Sequence, residues 1–152
     1  MRFVIQCVSE SSVRVDGETV GEIGKGFLVL IGISDADNER VADKMIQKML
    51  KLRIFGDENG KTNLSLSDVG GALLLISQFT LYADCKGQNR PSFFRAGKPE
   101  HANALYQYII KACQDAGFKT ECGIFGADMK VSLINDGPFT ILLDSKELGF
   151  DA

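Results

Sequence analysis

The sequence predicts a β-rich α+β domain with two helices that can cover its sheets. Three observations predict this. Several short runs rich in β-branched residues are separated by Gly- and Asp-containing turns. Two runs, Phe27 to Ile33 (FLVLIGI) and Ala72 to Gln78, are apolar on both faces, as central buried strands are. Only two stretches carry apolar residues at helical spacing: Val41, Met45, Met49 and Leu52, then Ala102, Leu105, Ile109 and Cys113.

In order, residues 2–8 (RFVIQCV) and 12–16 (SVRVD) read as strands. Asp16-Gly17 is a hairpin signal, with Thr19 to Ile23 as the returning strand. Gly24-Lys25-Gly26 turns the chain into the buried run at Phe27. Ser34 or Asp35 is placed to cap the first helix, whose methionines suit a core. Arg53-Ile54-Phe55 reads as a short strand and Asp57-Glu58-Asn59-Gly60 as a turn. Residues 84–98 form a polar loop long enough to suggest a function. Pro99 suits the first turn of the second helix, and Gly117 its C′ position. Thr120 to Ile124, Met129 to Ile134 and Phe139 to Leu143 complete the strands.

The length of 152 residues suits one domain with a real core, so 1–152 is read as a single domain. Hydrophobic residues at 45% and charged residues at 24% give the balance of an ordinary soluble globular protein. No apolar run reaches membrane-spanning length, and Arg2-Phe3-Val4 does not begin a signal peptide. The expectation is a cytoplasmic protein with no membrane partner. Cys7, Cys85, Cys113 and Cys122 form no C-x-x-C pair and read as free thiols. A net charge of −3 argues against coating nucleic acid through bulk charge. A short nucleic-acid end needs only a local patch. Lys86, Arg90, Arg95 and Lys98 are the only charged residues between Asp84 and Glu100, and form either such a patch or a solvated loop.

The catalytic inventory is sparse. His101 is the only histidine and is expected on the surface near the start of the second helix. No motif places it beside a nucleophile, and the Cys and His spacings match no zinc pattern. There is no phosphate-binding loop or dinucleotide fingerprint, so neither a metal nor a cofactor is expected. Two stretches remain. Asn135-Asp136-Gly137-Pro138-Phe139-Thr140 lies between two apolar runs and carries a Gly-Pro turn signal. It reads either as a plain hairpin turn or as a turn presenting bare carbonyls to a ligand. Ser77-Gln78-Phe79-Thr80 ends a buried strand, where amides free of the ladder can stabilise an oxyanion and Thr80 adds a hydroxyl.

Together, Ser77-Gln78-Phe79-Thr80-Leu81 and Asn135-Asp136-Gly137-Pro138-Phe139-Thr140 resemble the signatures of the D-aminoacyl-tRNA deacylase family. The likeness runs along nearly the whole chain. It includes Ile5-Gln6, Ser12-Val13, Gly21-Glu22-Ile23-Gly24, Arg53-Ile54-Phe55, Arg90-Pro91-Ser92-Phe93, Ala104-Leu105-Tyr106 and Ala127-Asp128-Met129. The resemblance implies two sheets forming a barrel-like core covered by the two main helices. It implies a homodimeric, metal-free editing enzyme that needs no cofactor. Such an enzyme takes the aminoacyl-tRNA 3′ end and hydrolyses the ester linking a D-amino acid to the terminal adenosine, and also cleaves glycyl-tRNA mischarged on tRNA(Ala). In the family the Gly-Pro bond is cis, and each monomer inserts this turn into its partner's active site; the matching positions are Gly137 and Pro138. The catalytic stretch carries over to Ser77, Gln78, Phe79 and Thr80, and the amino-acid pocket adds Ala102, Phe125 and Met129. Substrate-assisted catalysis is implied, with the ribose 2′-hydroxyl activating water and amides near Gln78 and Phe79 holding the oxyanion.

The chain departs from the family at one position. Relatives usually carry Arg after Ile-Gln, where Cys7 stands here, and that Arg is thought to brace the cis turn. Bracing must then come from elsewhere, or the turn is looser. A related animal enzyme uses a trans Gly-Pro turn and tolerates small L-amino acids. A relaxed-chirality editing variant is therefore one alternative, and a non-catalytic nucleic-acid-binding module on the same fold is another.

Overall fold

The computed structural model describes residues 1–151. In chain order its elements are β1 (Arg2–Val15), β2 (Glu18–Ile23), β3 (Gly26–Gly32), α1 (Glu39–Lys51), β4 (Arg53–Gly56), β5 (Thr62–Ser65), β6 (Ala72–Ser77), a 3₁₀ turn (Phe79–Tyr82), α2 (Pro99–Asp115), β7 (Thr120–Cys122) and β8 (Met129–Asp144). The fold is α+β and β-rich, with a barrel-like core and two covering helices, as the sequence suggests.

The main sheet is organised around β1. One edge of β1 pairs antiparallel with β8, from Arg2 opposite Asp144 to Val15 opposite Met129. The other edge is shared: β3 pairs with residues 2–8 and β2 with residues 11–15. β6 continues the sheet parallel to β3, and β7 parallel to β6. Parallel neighbours need crossovers, which α1 and α2 supply. The sheet curls until β2 lies against β7. A Cβ built on Gly21 would stand 2.7 Å from the Cys122 carbonyl oxygen, so only glycine lets the two backbones approach this closely. β4 and β5 form a separate antiparallel pair.

Alternation along the strands divides the core in two. Phe27, Val29 and Ile31 of β3, with Leu73 and Leu75 of β6, face the helices. Leu28 of β3, with Leu74 and Ile76 of β6, faces the barrel interior alongside Val8 and Val13. Buried Val41, Met45 and Met49 place α1 on the outer layer, and Leu105, Ile109 and Cys113 do the same for α2. Each large apolar side chain so buried contributes about 1.5–3 kcal/mol.

Several local expectations change. The two strands expected at 2–8 and 12–16 are one, bent where Ser9 is left over between the Val8 and Glu10 pairings. Because of this irregularity the even-numbered Val8 before it and the odd-numbered Val13 after it face the same barrel interior. Asn38, not Ser34 or Asp35, caps α1 by accepting the Val41 amide at 3.0 Å. β5 carries too few apolar residues to be seen in the sequence. The two strands expected around Asn135–Thr140 are likewise continuous, so the Gly-Pro stretch is not a hairpin turn. Among the described residues no helix is long and apolar enough to cross a membrane.

Candidate active site

β6 delivers the first signature. The Gln78 amide donates to the Ile31 carbonyl at 2.8 Å, which is the last rung between β6 and β3. The chain then turns into the 3₁₀ helix that starts at Phe79. Its first amides have no helical acceptor, and among the described residues those of Phe79 and Thr80 find no partner. Of the amides near Gln78 and Phe79 expected to hold an oxyanion, the sheet uses that of Gln78 itself. The free pair is Phe79 and Thr80.

These amides lie at a cleft of about 760 Å³. Ile31 and Ile76 form part of its lining, Ala102 of α2 contributes another wall, and Phe125 and Met129 close a further side. Ser77, Gln78 and Phe79 also line it. Thr80 and Leu81 of that signature are not part of the lining; the Thr80 hydroxyl oxygen accepts the Gln78 Nε2–H at 2.5 Å. The Phe125 ring packs 6.1 Å from that of Tyr106, whose hydroxyl donates to the Leu75 carbonyl at 2.6 Å. The cleft wall is thereby tied to the core. Burial lifts the Tyr106 phenol above its ordinary value, so it remains a neutral donor.

The polar loop covers one end of the cleft and is pinned in several places. Asp84 and Ser92 exchange backbone hydrogen bonds at 2.7 and 2.9 Å. Gly97 N–H donates to the Ile33 carbonyl at 2.8 Å, and the Lys98 amide to Asp35 Oδ1 at 2.9 Å. Asp35 and Lys98 are cleft residues that the sequence motifs did not single out. Their one sequence signal is position, Asp35 just after a buried strand and Lys98 just before a helix. His101 does not line the cleft. It is not the surface residue expected, for its Nε2 is buried and among the described residues has no hydrogen-bond partner.

Gly137 and Pro138 lie elsewhere. Asn135 pairs with Val8 and Thr140 with Gln6, so residues 136–139 bulge out opposite Cys7 alone. Gly137 has φ +130°, a conformation that side chains resist. The described residues contain no cis peptide bond, so the Gly137–Pro138 bond is trans and the expected cis bond is not found. Trans is favoured for X-Pro by about 0.5–1 kcal/mol. The bulge also has a brace. Asn135 Nδ2 donates at 3.0 Å to both the Cys7 and the Phe139 carbonyls, clamping its base. Cys7 is buried beneath, and burial followed by the charge of Asp136 pushes its thiol up to about 11.

The profile of the D-Tyr-tRNA(Tyr) deacylase family matches residues 4–144. The chain belongs to that family. Curated relatives named D-aminoacyl-tRNA deacylase include those of Thermosipho africanus, 51% identical over 97% of this chain and 99% of theirs, and Lactobacillus acidophilus, 56% identical over 95% and 99%. A solved structure named c-Myc DNA Unwinding Element Binding Protein superposes with a TM-score of 0.89 at 39% identity, covering 95% of this chain and 98% of that one. A probable eukaryotic D-amino acid tRNA deacylase, 19% identical, shares the fold with a TM-score of 0.76 over 93% and 97% of the two chains. For a D-Tyr-tRNA(Tyr) deacylase family member, the cleft beside β6 is the candidate active site, because the first signature and the walls around it converge there.

Proposed function

We propose that the chain hydrolyses the ester joining a D-amino acid to the terminal adenosine of tRNA, releasing free amino acid and tRNA. Membership of the D-Tyr-tRNA(Tyr) deacylase family supports a D-aminoacyl-tRNA deacylase, a carboxylic ester hydrolase. The observation that carries the mechanism is the pair of unengaged amides at Phe79 and Thr80 on the edge of a cleft walled by Ala102, Phe125 and Met129. The terminal 2′-hydroxyl orients and activates a water. The water oxygen adds to the ester carbonyl, and the two amides hold the resulting oxyanion. The carbon–oxygen bond to the ribose then breaks and the leaving oxygen takes the proton. Thr80 acts through its amide and not as a nucleophile, since the sole histidine stands outside the cleft lining.

The protein acts as a two-fold dimer in this reading. From Met129 at the cleft to Asn135 at the base of the bulge, the strand spans roughly 20 Å. A bulge at that distance serves a neighbour's cleft better than its own. The backbone of the partner subunit's Gly137 and Pro138 would then occupy the space an L side chain requires, a rejection by clash that cannot swing aside like a rotamer. Glycine has no side chain to reject, so glycyl-tRNA is also cleaved.

Deacylation of D-tyrosyl-, L-tyrosyl-, L-alanyl- and glycyl-tRNA tests the reading. Cleavage of the D- and glycyl esters alone is expected. The trans Gly137–Pro138 bond favours a second reading, the relaxed-chirality variant, which would add L-alanyl-tRNA to the substrates. The name of the 39% identical structure favours a third, a nucleic-acid-binding module, and binding without any turnover would select it.

A further inference from the structure

The cleft accounts for a terminal aminoacyl-adenosine but leaves one rim feature unused. Phe93 and Phe94 are consecutive and play different parts. The Phe93 ring meets the Phe79 ring edge-on at 5.0 Å, and both line the cleft. Phe94 is 73% exposed, the most exposed large apolar side chain among the described residues. It borders both the cleft and a second cavity of about 480 Å³. Its backbone is not free to drift. The Ala96 amide donates to the Phe93 carbonyl at 3.0 Å, and Arg95 reaches the Ala83 carbonyl at 3.1 Å. The Asp84–Ser92 and Gly97–Ile33 bonds hold the flanks. A ring held out into solvent on a pinned backbone is a platform.

The charges beside it fit a polyanion. Lys98 lines the cleft and Arg95 the second cavity. Most acids lining the two cavities are engaged, Asp151 being the exception: Asp35 accepts the Lys98 amide, Asp37 the Met1 amine, Asp128 the Lys130 ammonium and Asp144 the Arg2 guanidinium. Resting on the proposed function, we propose that Phe94 stacks on the penultimate nucleobase of the tRNA 3′ end, the first base that must leave the cleft once the terminal nucleoside is seated. Every base has a face that stacks on an aromatic ring, so this contact adds affinity and not base choice.

Phe94→Ala and Phe94→Trp test it with two substrates, D-tyrosyl-tRNA and the minimal ester 3′-D-tyrosyl-adenosine, which lacks a second base. The alanine variant should raise KM for the tRNA about tenfold more than for the minimal ester, with kcat on the tRNA held, and tryptophan should restore the wild-type ratio. Equal losses on both substrates, or no loss on either, would overturn the proposal. Should the wild-type protein cleave neither ester, the proposed function fails and Phe94 is decided by binding. Phe94→Ala should then weaken affinity for uncharged tRNA but not for tRNA trimmed of its last two nucleotides; identical behaviour of the two RNAs would refute stacking.

Discussion

Asn135 shows how much a single carboxamide can decide. One NH₂ group spans two carbonyls on opposite sides of the bulge, and the opposing position, Cys7, offers no side-chain donor of comparable reach. The base of the trans bulge is thus clamped from within the strand itself. Asn135→Ala removes both bonds and takes the donor from the Cys7 and Phe139 carbonyls. A stability loss of about 1–3 kcal/mol is expected in denaturant melts, together with lower deacylation. Unaltered stability would mean that water replaces the clamp. Thr80 is the converse case, a conspicuous side chain that in the proposed mechanism acts through its backbone amide. Thr80→Ala should retain most activity because its amide persists, whereas a substrate with the terminal 2′-hydroxyl replaced by hydrogen should lose nearly all. Rapid-quench trapping of an acyl-Thr80 ester would contradict this.

At the scale of the element, β8 is the informative strand. It is 16 residues long, pairs on one side only with β1, and carries Ile134 and Leu142 at 52% and 60% exposure. A long edge strand with exposed apolar side chains invites pairing or packing with another chain. If that chain is a second copy, Ile134→Lys should leave the monomer folded, since the side chain is already exposed. It should also shift the dimer to monomer in sedimentation and depress activity in parallel. A monomeric wild-type protein with full activity would remove the need for the partner's bulge.

For the whole molecule, charge and pH make separate predictions. The net charge is −3, so bulk charge does not favour tRNA, and the local cations of the polar loop are the surface to test. Neutralising Arg90, Arg95 and Lys98 together should weaken binding and lower the slope of log K against log salt by roughly 0.7 for each single-strand phosphate no longer neutralised. An unchanged slope would make that loop ordinary solvated surface. Alkali acts on the core. Cys7 is raised from 9.0 to about 11 and Cys113 from 9.0 to about 12, both chiefly by burial. Between these values the unfolded chain has released protons that the folded chain retains. Stability is therefore full below about pH 9 and falls as pH rises toward 11 and 12, as linkage requires. Cys7→Ala should flatten part of that decline in denaturation followed against pH.

By itself the sequence determined the fold class, both helices, the buried strands β3 and β6, and the stretch from Ser77 to Thr80. These follow from local signals, namely alternation, helical spacing and turn residues, that need no partner in space. It also carried enough likeness along the chain to indicate the family. Tertiary structure decided the rest. Whether Asn135–Thr140 turns back or runs on depended on β1, which is long enough to pair with both halves of β8. Which amides remain free depended on Ile31, a residue 47 positions before Gln78 in the chain, taking the Gln78 N–H. Asp35 and Lys98 reached the cleft only because the polar loop folds back onto the end of β3. In each case the deciding bond joins residues far apart in sequence, and no local pattern encodes where such a bond will close.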